Sequence, residues 1–272
     1  MGVAVSGAPG LLPAGLDRSR NAPHIARMSA LRRPGLAVAL DTTDPARAAA
    51  LAAAVAPHVA AVKLGLEFFC AHGPQAVRQA APAERDLFLD LKLHDIPNTV
   101  AGAVRAVRGL GARYLTLHAA GGAAMIEAAR QAVDESAVDE SAVDEKAGAD
   151  GPMLLAVTVL TSMNAEALHA IGVAGGPRQQ VLRLARLALQ AGAHGLVCSA
   201  QELAPLRDAF GAAPFIAVPG IRPHGAAAHD QARIMTPAEA ARAGADLLVV
   251  GRPITQAADP AQAAAAIAAQ IA

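Results

Sequence analysis

From Leu36 onward, short apolar runs alternate with longer segments of helical periodicity. The runs are LAVALD (36–41), VAAVKL (59–64), DLFLDLK (86–92), RYLTLH (113–118), MLLAVTVL (153–160), HGLVCS (194–199), PFIAVPG (214–220) and DLLVVG (246–251). Each has the length and aliphatic content of a strand covered on both faces. Between them, PARAAALAAAV (45–55), VLRLARLALQAG (181–192) and PAEAARAGA (237–245) read as helices, and AAAAIAAQIA supplies a last one. Eight strand–helix units predict an α/β protein: a single (β/α)8 TIM barrel over residues 35–272 rather than a doubly wound sheet. Residues 1–34 follow neither period and predict a disordered N-terminal extension. VDESA at 133–137 recurs at 138–142, with VDEK after it. A five-residue period is too short for a solenoid, so the repeat predicts a solvated enlargement at the end of the fourth helix.

Composition narrows the function classes. The 272 residues are 54% hydrophobic and 17% charged, enough apolar material for one large core. Acids and bases balance at 23 each, and aromatics make up 2%, so neither the electrostatic footprint nor the stacking platform of a nucleic-acid binder is present. Cys70 and Cys198, the two cysteines, form no CxxC and read as buried apolar thiols. No uncharged apolar run reaches 18 residues, and the start of the chain lacks the pattern of a signal peptide. The chain reads as cytoplasmic, with no membrane partner.

Barrels of this kind carry their chemistry at the C-terminal ends of the strands. Those ends are Asp41, Lys63, the stretch Asp90–Lys92–His94–Asp95, His118, Thr161, Ser199, Arg222 and Arg252. Strand alternation puts Asp90 and Lys92 on one face and Leu89 and Leu91 on the other. Charges pointing into a barrel are costly unless they pair with each other or with a ligand. A salt bridge closing the barrel mouth is one reading. The other is a converging set, Lys63, Asp90, Lys92 and Asp95, with zero net charge. The facing of His94 stays open, and both His94 and His118 are compatible with a hydrogen-bonded structural role. No spacing gives a metal triad, so no metal is expected. Gly251 admits a close-approaching anion and Arg252 supplies a fork of donors where such barrels often hold phosphate. The connection from 219 to 235 has the length of a lid or binding loop. Walker, GxSxG, GxGxxG and HExxH patterns are absent.

DLKLHDIPNTV (90–100), with VALD (38–41) and KLG (63–65), closely resembles the signature of the orotidine 5′-phosphate decarboxylase family. So do AVTVLTSM (156–163), GLVCSAQE (195–202), PGIRP (219–223), DQARIMTP (230–237) and GRPIT (251–255), in family order. The resemblance implies a cofactor-free homodimer with shared active sites that converts orotidine 5′-phosphate to UMP and carbon dioxide. It implies catalytic roles for Lys63, Asp90, Lys92 and Asp95, with Lys92 the proton donor and Asp95 reaching the partner's site. It implies that Asp41 and Lys63 hold the ribose, joined by Asp95 and Thr99 across the dimer. Thr161 would contact the pyrimidine, and Gln231, Gly251 and Arg252 would grip the phosphate, with Arg222 nearby. Leu93 departs from the aromatic common at its position. Two other readings stand beside this one: a Mg²⁺-dependent sugar-phosphate decarboxylase or aldolase of the same wider barrel group, and a non-catalytic barrel that senses nucleotides. The first needs an acid at the end of strand two, where Lys63 stands.

Overall fold

The computed structural model describes residues 34–135, 151–223 and 235–271. Residues 1–33 of the expected extension over 1–34 and most of the VDESA repeat lie outside these residues, as does Gln231. Eight parallel strands close in chain order: β1 Gly35–Ala39, β2 Ala61–Gly65, β3 Asp86–Leu93, β4 Ala112–His118, β5 Met153–Val157, β6 Gly195–Val197, β7 Phe215–Pro219 and β8 Leu247–Val250. Strand β1 pairs on both sides, Val38 standing opposite Val62 of β2 and Val250 of β8, which shuts the barrel. The TIM barrel expected from the alternating pattern is the fold observed.

Helices α1 Pro45–Val55, α2 Leu66–Ala80, α3 Pro97–Val107, α4 Ala123–Asp134, α5 Ala165–Ala170, α6 Pro177–Gln190, α7 Leu203–Phe210, α8 Pro237–Arg242, α9 Arg252–Thr255 and α10 Pro260–Ala268 connect the strands. Their starts have local causes. Asp44 accepts hydrogen bonds from the N–H groups of Ala46 and Arg47, and Pro45 pre-sets the first turn of α1. Thr236 and Glu239 form a reciprocal capping box at the start of α8.

The alternation within each strand divides the apolar residues into two layers. Val38, Leu64, Leu89, Leu115, Leu154 and Leu196 face outward and pack with the buried residues of the helices. Ala37, Ala39, Phe88, Tyr114, Leu155 and Phe215 face inward and fill the barrel. Phe88 and Tyr114 meet at 5.6 Å between ring centroids, and Tyr114 stacks on Phe215 at 5.3 Å. This aromatic cluster occupies the barrel interior, and two residues further along β3 and β4 come Asp90 and Thr116. One expectation needs correction. Cys198 is buried, but Cys70 is exposed, because two helical residues turn it about 200° away from buried Phe68 on α2. Among the described residues, no helix is long and apolar enough to cross a membrane.

Candidate active site

Inward parity on β2 and β3 delivers Lys63, Asp90 and Lys92 to one place. Asp90 Oδ2 lies 2.8 Å from Lys92 Nζ and 3.2 Å from Lys63 Nζ. Lys63 also reaches Asp41 Oδ1 at 3.6 Å, beyond the end of β1. The four side chains thus alternate in sign. Burial alone would push the Asp90 carboxyl up, but Lys63, Lys92 and the hydroxyl of Thr116 outweigh it and hold the pKa at about 2. Burial likewise works against the Lys63 ammonium; Asp90 and Asp41 overcome it, and its pKa ends above the ordinary value. Lys63 and Asp90 are 12% and 11% exposed at the side chain, whereas Lys92 at 35% and Asp41 at 58% are the members open to the mouth.

The backbone beneath this cluster is irregular. Leu89 pairs with Leu115 and Leu93 with Leu117, so Asp90, Leu91 and Lys92 stand opposite Thr116 alone. Lys92 takes a φ of 49°, the single positive value at a non-glycine position among the described residues. Fully buried Thr116 accepts a hydrogen bond from Lys92 N–H at 2.9 Å and donates one to Asp90 Oδ1 at 2.8 Å. Gly251 lies next to Asp41: a Cβ there would stand 3.3 Å from Asp41 Oδ2, so that carboxylate would have to shift by a few tenths of an ångström.

The sequence brings four charges into register, but within one chain Asp95 does not join them. Its carboxylate is exposed and accepts the N–H of Ile96 at 2.6 Å. Thr99, in the first turn of α3, is exposed as well and lies outside the cavity lining. The physical reason is the chain's exit from β3, which carries residues 94–99 out of the barrel axis to the surface. Asp41 completes the charge balance instead. His94, whose facing the sequence leaves open, meets His118 with ring centroids 5.3 Å apart and the rings tilted by 40°. Burial, then His94 and Lys92, push the His118 pKa down against the pull of Asp90.

A cavity of about 540 Å³ opens over the cluster, within the usual range for a small-molecule site. Asp41, Lys63, Asp90 and Lys92 line it from β1 to β3, and Arg222, Gly251 and Arg252 from β7 and β8. Thr161 joins them with an apolar wall that includes Val157, Val159 and Pro219. Arg222 is 6% exposed, and its Nε has no hydrogen-bond partner. Burial and the neighbouring charge of Arg252 both lower its pKa. Two guanidinium groups brought together with a buried donor unused are a receptor for an anion. Sequence reasoning missed Thr116, Glu67 and Gln256; the last two also line the cavity. Thr116 carried a readable signal, a polar residue of inward parity two positions after Tyr114. Among the described residues no group of three His, Cys, Asp or Glu is arranged to hold a metal ion.

Residues 34–267 match the model of the orotidine 5′-phosphate decarboxylase / HUMPS family. The chain is 55% identical over 234 residues to the orotidine 5′-phosphate decarboxylase of Anaeromyxobacter sp. strain K, covering 86% of this chain and 96% of that one. It is 55% identical over 236 residues to the enzyme of that name from Gluconobacter oxydans, covering 87% and 96%. Among solved structures, the orotidine 5′-phosphate decarboxylase of Lactobacillus acidophilus superposes with a TM-score of 0.75 at 35% identity, over 89% of this chain and 99% of that chain.

Proposed function

The chain belongs to the orotidine 5′-phosphate decarboxylase / HUMPS family, and from that premise we propose how its barrel mouth removes carbon dioxide from orotidine 5′-phosphate. The reaction it performs is that of a carboxy-lyase of pyrimidine biosynthesis, with UMP as product. The observation that carries the residue assignment is the Asp90 carboxylate held between two ammonium groups at the floor of the cavity.

Breaking the bond from C6 to its carboxylate leaves an electron pair in an sp² orbital that the pyrimidine ring does not delocalise. The protein must stabilise that charge electrostatically. Lys92 is the nearby cation and the proton source: as carbon dioxide leaves, one N–H proton of Lys92 passes to C6. Asp90 faces the departing carboxylate. Two like charges about 4 Å apart repel by roughly 4 kcal/mol at an effective dielectric of 20, and loss of carbon dioxide removes that repulsion. Lys63 and Asp41 hold the ribose hydroxyls, and Thr161 meets the pyrimidine. Arg222, Gly251 and Arg252, with Gln231, take the phosphate. Its binding energy, remote from the bond broken, holds the reacting carbon over Lys92.

A homodimer supplies what one chain lacks. Asp95 and Thr99 belong, in this reading, to the site of the partner. Exposure of the whole 94–99 segment, with Ile96 65% exposed between them, supports it. No metal enters the mechanism. The Mg²⁺ reading needs an acid where the Lys63 ammonium contacts Asp90, and that ammonium would repel the ion. A charged nucleotide does not cross a bilayer unaided, which supports a cytoplasmic site of action.

The test is the loss of orotidine 5′-phosphate absorbance on adding purified protein in EDTA, with UMP identified as product. Turnover undiminished by the chelator is the expected result. Activity that disappears and returns with Mg²⁺ supports the aldolase-like reading instead. Tight UMP binding without turnover supports the sensing barrel.

A further inference from the structure

We propose that Thr116 of β4 is a positioning residue for decarboxylation, its hydroxyl locking the Lys92 backbone and the Asp90 carboxylate into one reactive geometry. The inference rests on the assignment of Lys92 and Asp90 above. Neither partner leaves the hydroxyl any freedom. The Lys92 N–H can only donate and the Asp90 carboxylate can only accept, so the Thr116 proton must point to Asp90 Oδ1 while its lone pair faces Lys92. A rotating hydroxyl becomes a fixed two-way connector.

The irregularity of β3 explains why a side chain is needed there. Three residues of β3 face one of β4, so the regular ladder is broken at the residue that delivers the ammonium. Lys92 sits at a φ of 49°, which L-residues with a Cβ adopt only when surroundings impose it. The Thr116 oxygen takes the Lys92 N–H and holds the strained turn. The same oxygen's proton occupies Asp90 Oδ1, leaving Oδ2 for Lys63 and Lys92. Branching at Cβ restricts χ1 of threonine, so the connector itself is stiff. Thr116 lies outside the lining of the cavity, and its effect passes entirely through the two residues it holds.

The test compares Thr116→Val, Thr116→Ala and Thr116→Ser with the wild-type chain, measuring kcat with orotidine 5′-phosphate and the dissociation constant of UMP. Valine keeps the shape and deletes the hydroxyl. Alanine deletes it without adding a buried methyl and serves if the valine chain does not fold. Losing hydrogen bonds to a charged group and to the lysine backbone predicts a kcat lowered about 10- to 100-fold. UMP carries no C6 carboxylate, so its dissociation constant is expected to stay within about three-fold of wild type, inside the factor that one weak contact contributes. Serine restores the hydroxyl and is expected to recover kcat to within about three-fold on the same scale. A hydroxyl-free variant with wild-type kcat overturns the proposal. So does a loss of UMP affinity in proportion to kcat, or a serine variant as slow as the hydroxyl-free ones. A wild-type chain that leaves orotidine 5′-phosphate unconverted overturns the activity, and this inference with it. An active wild type matched by its valine variant overturns the role of Thr116 alone.

Discussion

Asp90 shows how burial and charge compete at a single residue. Its folded pKa of about 2 lies below the ordinary 3.8, so ionised Asp90 stabilises the fold above the ordinary value and loses that contribution as the pH falls through the folded one. The shift corresponds to stability on the order of 2 kcal/mol, present near neutrality and lost between about pH 4 and pH 2. Urea unfolding across that window is expected to show a steeper loss for the wild type than for Asp90→Asn, whose side chain does not titrate there. Matching slopes would mean that the two lysines do not hold the carboxylate down. Lys63 has the opposite sign: its raised pKa makes its contribution complete below the ordinary value of 10.5, fading as the pH climbs through the folded one. Alternation alone was enough to read Asp90 and Lys92 onto one face, because a charged residue of inward parity at a strand end has few other places to go. The positive φ of Lys92 was not legible, because it depends on the pairing of β3 with β4. Thr116 had the right parity, but threonine is a side chain that any strand favours, so its polarity did not stand out.

At the level of elements, apolar runs marked all eight strands but overran several ends. The run 153–160 ends as a strand at Val157, because Thr158 turns its N–H and its hydroxyl to the carbonyl of Val197. Helix α6 starts at Pro177, earlier than its periodicity suggests, since the polar first turn PRQQ offers no apolar signal. The start of α1 agrees with the segment read as helical, and Asp44 and Pro45 fix it there. The inward aromatic cluster was not legible, because Phe88, Tyr114 and Phe215 come from three strands that only closure brings together. Phe88 is fully buried and lies directly before the charged layer on β3. Phe88→Ala is expected to destabilise the fold by about 3–5 kcal/mol through lost burial and a residual cavity. Denaturant titration reads this as a lowered midpoint at unchanged slope. A loss below about 1 kcal/mol would mean that neighbouring side chains collapse into the space.

For the whole molecule, the barrel explains why residues from strands far apart in sequence reach one cavity, and closure between β1 and β8 sets Gly251 beside Asp41. It also shows which residue a single barrel does not bring to its own mouth. Asp90 and Lys92 end β3 inside the mouth, while Asp95, three residues beyond Lys92, is already at the surface. A two-fold axis at that surface would return Asp95 to a mouth other than its own. In the proposed homodimer, each site joins Lys92 of one chain to Asp95 of the other. Mixing inactive Lys92→Ala chains with inactive Asp95→Ala chains, under conditions of verified subunit exchange, tests it directly. Random pairing makes about half the dimers mixed, each with one intact site of two, so activity should return to about a quarter of wild type. Dilution that separates the subunits should remove it again. Exchange that restores no activity would mean that Asp95 acts within its own chain, and the shared site would be refuted.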